Sequence, residues 1–333
     1  AIADRAVAAR SPFAGFGRRL AEGWAFVRAG GRRSEFGNQL AYLFAPRRYF
    51  RKSEPAADVF YLFRDTPERR ETLRRLRAGE AGGLAAGQLF GFDALRANGV
   101  AVDCNLRLPR ISSVRETVAG WIEKAYAPRT GIGLGDVCSV RAHLWQMNRA
   151  RVVVATTDNT GLPAARLKAR GRLRAPLVYV SVGLPERIES AAAISPARAA
   201  RYRKRLAHVD RLVAYGHAEA EWLRRWLGVP DNVRFVPFGV DTAQWRPETG
   251  VAETTDVLGV GSDPQRDFGL LIEYARRHPQ VAVGLVVGRD CAAGLGPLPP
   301  NVDVRVQIPV AEVKQAIAAA RAVVLPVKEN TYS

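Results

Sequence analysis

The stretch from Thr255 to Arg277, TDVLGVGSDPQRDFGLLIEYARR, constrains the fold of this chain more than any other. Asp256 to Val260 is a short apolar run, and Gly261 to Asp267 is a polar, glycine-bearing turn. Leu270, Leu271, Tyr274 and Ala275 then recur at helical spacing. Strand, turn and amphipathic helix in immediate succession form half of a βαβ unit. In open α/β sheets ligands bind beyond the carboxyl ends of the strands, where helix N-termini offer free N–H groups and partial positive charge to anions. Arg266 sits just inside that turn. Taken alone, Gly261 eases a tight turn as glycines in βα loops commonly do.

The flanking segments add to this reading. Upstream lies VRFVPFGVDTAQWRP, from Val233 to Pro247; downstream lie VAVGLVVG, ending at Gly288, and NVDVRVQIPVAEVKQAIAAARAVVLPV, starting at Asn301. In this order, over roughly residues 205–333, the segments resemble the carboxy-terminal half of the retaining family 4 glycosyltransferases of the GT-B fold. That family shows a V-P-x-G-V-D-x-x-x-F-x-P segment, a V-G strand and turn with a basic residue, a second strand ending in V-G, and an alanine-rich helix before a strand ending in L-P.

The resemblance implies two Rossmann-like domains with parallel sheets facing a cleft, the carboxy-terminal sheet incomplete. It also implies a nucleotide diphosphate sugar as donor substrate. The family commonly places an arginine after the V-G and a lysine four or five positions on, both near the diphosphate; here Ser262 replaces the first and Arg266 occupies the second. Gly261 and Ser262 would donate backbone N–H groups. Gly288 and Arg289 end the next strand in the same layer, Gln307, Ile308 and Pro309 fall where the nucleobase is lined, and Asn330, Thr331, Tyr332 and Ser333 where the donor sugar is read. The paired-glutamate motif of the family is not visible: its second acid would lie beyond Ser333, and the first is replaced near Thr331.

Length places two domains on this chain, since 333 residues exceed what one hydrophobic core usually holds. The expected division is an extension and linker over 1–54, an acceptor domain over 55–235 and a donor domain over 236–333. The chain starts at Ala1, holds only Met147 as methionine and stops directly after a strand pattern, so a fragment of a longer protein is expected. Apolar residues at 47% and charged residues at 25% suit a globular α/β protein. No run approaches the roughly 20 apolar residues of a membrane span, and a cytoplasmic location, peripheral at the inner membrane face, is the expectation.

The balance of 50 basic against 32 acidic residues, +18, points to an anionic partner. Nucleic acid, an anionic membrane face and phosphorylated substrates all fit, and arginine richness can also reflect genome composition. Residues 1–54 interleave basic residues with aromatics such as Phe13, Trp24, Tyr42 and Phe50, a pattern compatible with an anionic bilayer surface or with ordinary helical packing. Arg166 to Arg174 holds five basic residues in nine, and Arg198, Arg201, Arg203, Lys204 and Arg205 share a second segment. In GT-B enzymes this half holds the acceptor, and an anionic lipid-linked or phosphorylated acceptor would reward such clusters; a solvated face is the alternative.

Asp58 to Phe63 and Val100 to Leu106 read as buried strands, with a helix over 66–78 capped by Thr66 and opened by Pro67. Leu89 to Asn98 reads as another helix, stopped by Gly99. The resemblance makes Gly82 and Gly83, in the glycine-bearing loop after the first strand, candidates for acceptor binding. Gly131, Gly133 and Gly135 fail as a dinucleotide fingerprint, because no strand precedes them and the third glycine stands at the wrong offset. They read as a loop before a helix over 136–148. Arg151 to Thr156 is the next strand, and Thr157 to Thr160 caps a helix beginning near Leu162. Asp158 is either a cap or a ligand for an acceptor sugar hydroxyl.

No nucleophile elbow, Walker sequence or zinc pattern is present, and Cys104, Cys138 and Cys291 are too scattered for a disulfide framework or a metal site. No cofactor is expected. The competing reading is a nucleic-acid-binding protein, resting on the charge alone and lacking any reader motif; a non-catalytic GT-B relic serving as an interaction module is the third.

Overall fold

The structure is a computed structural model and describes residues 56–80, 87, 89–107, 137–263 and 265–328. The expected sites at Gly82, Gly83 and Asn330 to Ser333, the extension over 1–54 and the glycines at 131–135 lie outside the described residues.

The chain builds two parallel sheets, with ten strands and eleven α-helices among the described residues. In chain order the elements of the first are β1 (Val59–Leu62), α1 (Pro67–Arg77), α2 (Phe92–Ala97), β2 (Val102–Cys104), α3 (Val137–Ala142), α4 (Leu144–Met147), β3 (Val152–Ala155), α5 (Asp158–Ala169), β4 (Leu177–Val180), α6 (Leu184–Ile194), α7 (Pro196–Leu206), β5 (Arg211–Ala214), α8 (His217–Leu227) and β6 (Val233–Phe235). Its strands lie in the order β2-β1-β3-β4-β5-β6. The second comprises β7 (Thr255–Gly261), α9 (Phe268–Arg277), β8 (Val283–Val287), α10 (Arg289–Ala293), β9 (Val302–Val306), α11 (Val310–Ala318) and β10 (Ala320–Val324), with strand order β10-β7-β8-β9. Two parallel α/β sheets with intervening helices are the architecture expected of a GT-B chain. By compactness the described residues fall into two discontinuous units, one holding β1 to β4 and the other α1, α2, β6 and the second sheet, so the boundary runs through the first sheet.

The first sheet forms from short apolar runs that bury side chains on both faces, as parallel strands covered by helices must. Phe60, Leu62, Val153, Ala155, Leu177 and Tyr179 are almost wholly buried. At its carboxyl end Asn105, 2% exposed, replaces a strand partner: its Oδ1 accepts from Phe63 N at 2.9 Å and its Nδ2 donates to Phe63 O at 2.8 Å. That side-chain ladder explains why β2 stops at Cys104 rather than running to Leu106. α1 starts as expected, with Thr66 as N-cap accepting from Arg69 N and Pro67 as the first helical residue.

Two expectations need correction. The helix expected over 136–148 is two pieces, α3 and α4, because His143 leaves helical geometry at φ −91°, ψ 7°. The helix after β3 begins at Asp158, not near Leu162. Thr157 is its extended N-cap residue, and Asp158 to Thr160, read from sequence as part of the cap, lie inside α5.

The second sheet buries two apolar layers. Phe268, Leu271, Ile272 and Ala275 of α9 pack with Val283, Leu285 and Val287 on one face. On the other, Leu258 and Val286 pack with Ala316 of α11 and with Ile308. α9 is capped by Asp267, whose Oδ1 accepts from Leu270 N. Asn301 ties its other end down by donating through Nδ2 to the carbonyls of Ala275, His278 and Val281.

Candidate active site

The turn leaving β7 holds three of the residues singled out in the donor half, Gly261, Ser262 and Arg266. Gly261 ends the strand at φ +156°, and the Arg266 side chain lies across it: a Cβ at Gly261 would stand 3.1 Å from both Cγ and Nε of Arg266. The φ itself favours glycine here, and a β-carbon would in addition press against the arginine side chain. Arg266 is half-buried, its Nε is cut off from solvent without a hydrogen-bond partner, and among the described residues no carboxylate pairs with it.

The backbone around Arg266 is fixed from both sides. Its N–H bonds Asp263 O at 3.0 Å, and Arg266 forms an antiparallel bridge with Val327. Asp267 N donates to Pro326 O and Lys328 N to Gln265 O, at 2.9 Å each. The segment after β10 thereby holds the turn after β7 in place, which no local signal in the sequence announced.

Beside this turn, Gly288 ends β8 and precedes α10. A Cβ there would come within 2.8 Å of Ser262 Cβ, so the two loops approach as closely as glycine permits. Gly288 has an ordinary φ of −74°, so contact, not backbone strain, is what demands glycine. Arg289 follows, exposed, and Cys291 Sγ lies 3.6 Å from Asp263 O.

The third strand end is less uniform. Gln307 takes a positive φ of 52°, is exposed, and anchors its N–H on Val287 O at 2.9 Å. Pro309 is exposed at the start of α11. Ile308 instead turns inward against the layer of Leu258, Val286 and Ala316, so its side chain supports the sheet. Gly261, Ser262, Arg266, Gly288, Arg289 and Gln307 thus gather along the carboxyl edge of one parallel sheet, where α/β folds bind ligands.

Asp158 takes a different role from either expected one. Its carboxylate is 2% exposed and does not cap α5. Oδ1 accepts from Tyr179 Oη at 2.7 Å and from Val182 N at 3.2 Å, and Oδ2 accepts from Arg187 Nε at 3.3 Å. Burial pushes its pKa up, against the pull of Tyr179, Val182 and Arg187. Both oxygens are engaged within the protein, which leaves no open face for a sugar hydroxyl. Neither Tyr179 nor Arg187 was singled out from sequence, since nothing local couples positions so far apart. Among the described residues no group of three His, Cys, Asp or Glu side chains could hold a metal ion, and no helix is long and apolar enough to cross a membrane.

Comparison with known proteins agrees with the geometry. Residues 127–244 match the model of Glycosyltransferase Family 4. That stretch of the chain thus carries a family 4 glycosyltransferase domain. The match lies largely ahead of the segment on which the motif resemblance was read, 205–333, and overlaps it over 205–244. No curated protein sequence matches the chain.

Among solved structures, HepE of Anabaena in complex with UDP and glucose superposes with a TM-score of 0.50 at 16% identity, over 81% of this chain and 74% of that one. The same protein in complex with UDP-glucose gives 0.48 at 16% identity, over 82% and 74%. Sucrose-phosphate synthase of Thermosynechococcus elongatus gives 0.48 at 16% identity, over 59% of this chain and 57% of that chain. At such identity the superposition carries the fold and no more.

Proposed function

We infer that this glycosyltransferase takes its sugar from a nucleotide diphosphate donor, with retention of configuration, and that the diphosphate lies at the carboxyl edge of the second sheet. The acceptor in this reading is a glycan, a lipid-linked saccharide or a related molecule, and the pathway is polysaccharide or cell-envelope glycan synthesis at the cytoplasmic membrane face. The observation that carries the donor assignment is Arg266, a half-buried guanidinium without a carboxylate partner among the described residues, lying against Gly261 at the end of β7.

As a glycosyl group departs, negative charge collects on the leaving diphosphate. Prefixed cations and backbone N–H groups stabilise that charge without reorganising. Arg266 supplies the cation in this reading, the Gly261-Ser262 and Gly288-Arg289 turns supply donors, and the exposed Gln307 and Pro309 flank the base. HepE, solved with UDP and glucose, shares the fold, which supports a nucleotide sugar as donor.

The test is calorimetry with a panel of nucleoside diphosphates. Arg266→Ala should weaken binding by about 1.5 to 3 kcal/mol, the range for hydrogen bonds to charged groups. Unchanged affinity would remove Arg266 from the donor site.

A further inference from the structure

Three helices of the first sheet's layer meet along α5, with α3 and α7 each packed against it. Each brings arginines to the junction. Arg141 comes from the end of α3, Arg166 lies on α5 with Arg170 one turn on as its C-cap, and Arg201 and Arg205 stand one turn apart on α7, with Arg198 a turn earlier. None of these six is in an ion pair among the described residues. α7 carries no acidic residue at all, and the one acid of α5 is Asp158, already engaged by Tyr179, Val182 and Arg187.

A solvated basic face would spread its guanidinium groups into water, where repulsion is screened within about 8 to 10 Å. These do not. Arg166, Arg198 and Arg205 are half-buried, and Arg166 Nε and Arg198 Nη1 are shut off from solvent with no hydrogen-bond partner. Burial and neighbouring cations both act on the cluster. Arg166 is depressed by desolvation, then by Arg170 and Arg141, and Arg205 by desolvation and then by Arg166, among others. Like charges one helical turn apart are destabilising, and a buried unpartnered donor carries a desolvation cost. An anion with several acceptor oxygens is the ligand that reverses both at once, because guanidinium groups bind phosphate through paired N–H donors.

We propose that Arg141, Arg166, Arg170, Arg198, Arg201 and Arg205, at the junction of α3, α5 and α7, form a binding site for a phosphate or diphosphate group. The site is built from other elements than the carboxyl edge of the second sheet and does not depend on the donor assignment made there. It goes beyond a general basic surface in naming a convergent set with buried donors. The shared chemistry is a phosphoryl oxyanion, carried either by a soluble phosphorylated compound or by a lipid headgroup.

Two double variants test it in the full chain: Arg166→Gln with Arg205→Gln at the half-buried centre, and Arg170→Gln with Arg201→Gln at the exposed rim. Inorganic pyrophosphate is titrated at constant ionic strength with the melting temperature as readout. Each variant should melt at or above the wild-type temperature without anion, since repulsion has been relieved. Each should lose most of the anion-dependent rise, with affinity at least about tenfold weaker. Arg266→Ala serves as control for pyrophosphate at the donor site and should keep the rise that the Gln variants lose.

Flotation with phosphatidylglycerol against phosphatidylcholine vesicles separates the sources. Binding to the anionic vesicles that is lost in the Gln variants assigns a lipid headgroup, and loss confined to pyrophosphate assigns a soluble ligand. Wild-type responses to both probes in both Gln variants would overturn the proposal, as would a variant that is destabilised without anion.

Discussion

The Tyr179 hydroxyl donates a 2.7 Å hydrogen bond to Oδ1 of Asp158, a carboxylate 2% exposed at the first residue of α5. Val182 N and Arg187 Nε complete the shell, so the carboxylate joins α5, β4 and the start of α6. Burial raises the Tyr179 phenol well above its usual range, and the neighbouring Asp158 raises it further. The phenol therefore stays protonated and remains a donor.

Removing the carboxylate and removing its charge should differ. Asp158→Ala leaves Tyr179 Oη, Val182 N and Arg187 without their acceptor, and should cost about 3 to 5 kcal/mol in urea unfolding. Asp158→Asn keeps an acceptor for Tyr179 and cannot ionise. The folded pKa of Asp158 lies above its usual 3.8, so the folded chain binds its proton more tightly. That contribution is complete below the unfolded pKa and is lost as pH rises through the folded one. Wild-type stability should accordingly fall relative to Asp158→Asn as pH rises above about 4. A difference that is constant or grows with pH would refute the direction.

Asn105 gives a second pH-dependent case with the charge introduced by mutation. Asn105→Ala orphans both Phe63 N and Phe63 O at a buried strand end and should cost about 2 to 4 kcal/mol. Asn105→Asp keeps the acceptor but loses the donor to Phe63 O and places an ionised group where burial disfavours it. Its carboxyl should therefore titrate high, and the variant should regain stability as pH falls. Unfolding curves at two pH values check this, and a variant that weakens on acidification relative to wild type would contradict it.

Much of this architecture was legible because parallel strands buried on both faces are written as short continuous apolar runs, and α9 announces itself by Leu271, Ile272 and Ala275 on one face. The Gly261–Arg266 turn was legible for the same reason: strand, glycine, polar turn and helix are adjacent in sequence. What sequence could not show is non-local. Asp158 looked like a cap because aspartate commonly caps helices, whereas Tyr179 and Arg187 claim it from residues far along the chain. Ile308 looked like part of the nucleobase region by position, but its apolar side chain finds the layer of Leu258, Val286 and Ala316. The basic runs at 166–174 and 198–205 were visible as composition. That Arg166 and Arg205 converge depends on how α5 and α7 pack.

Gly288 tests how tightly the donor loops must approach. Gly288→Ala places a methyl group within 2.8 Å of Ser262 Cβ and 3.3 Å of Ser262 Cα, in a backbone conformation that alanine tolerates. Overpacking of this kind costs about 1 to 3 kcal/mol, and moving the two loops apart should lower nucleoside diphosphate affinity by about tenfold, or 1.4 kcal/mol. Adding Ser262→Gly removes the nearest atom and should restore most of both losses. Calorimetry and thermal melts on the single and double variants decide it; a double variant no better than Gly288→Ala would place the loss elsewhere than in this contact.

The second sheet also has a broad depression of about 710 Å³ at its opposite, amino-terminal edge, bordered by Thr255, Gln280, Pro300, Asp303 and Arg305. Its size alone would make it a rival donor site. The chemistry favours the other edge, because Asp256 and Asn301, beside and within the depression, are already committed. Asp256 accepts from Ala282 N at 2.9 Å and from Arg321, and Nδ2 of Asn301 is shared among three carbonyls. At the carboxyl edge Arg266 lacks a carboxylate partner among the described residues, and the first turns of α9 and α11 lie at that edge. Hydrogen exchange in the presence of a nucleoside diphosphate should therefore slow at Gly261 to Arg266 and at Gly288 to Arg289. Exchange at Thr254, Thr255, Gln280 and Asn301 to Arg305 should stay unchanged. Protection confined to the amino-terminal edge would move the donor site to the depression and overturn the assignment of Arg266.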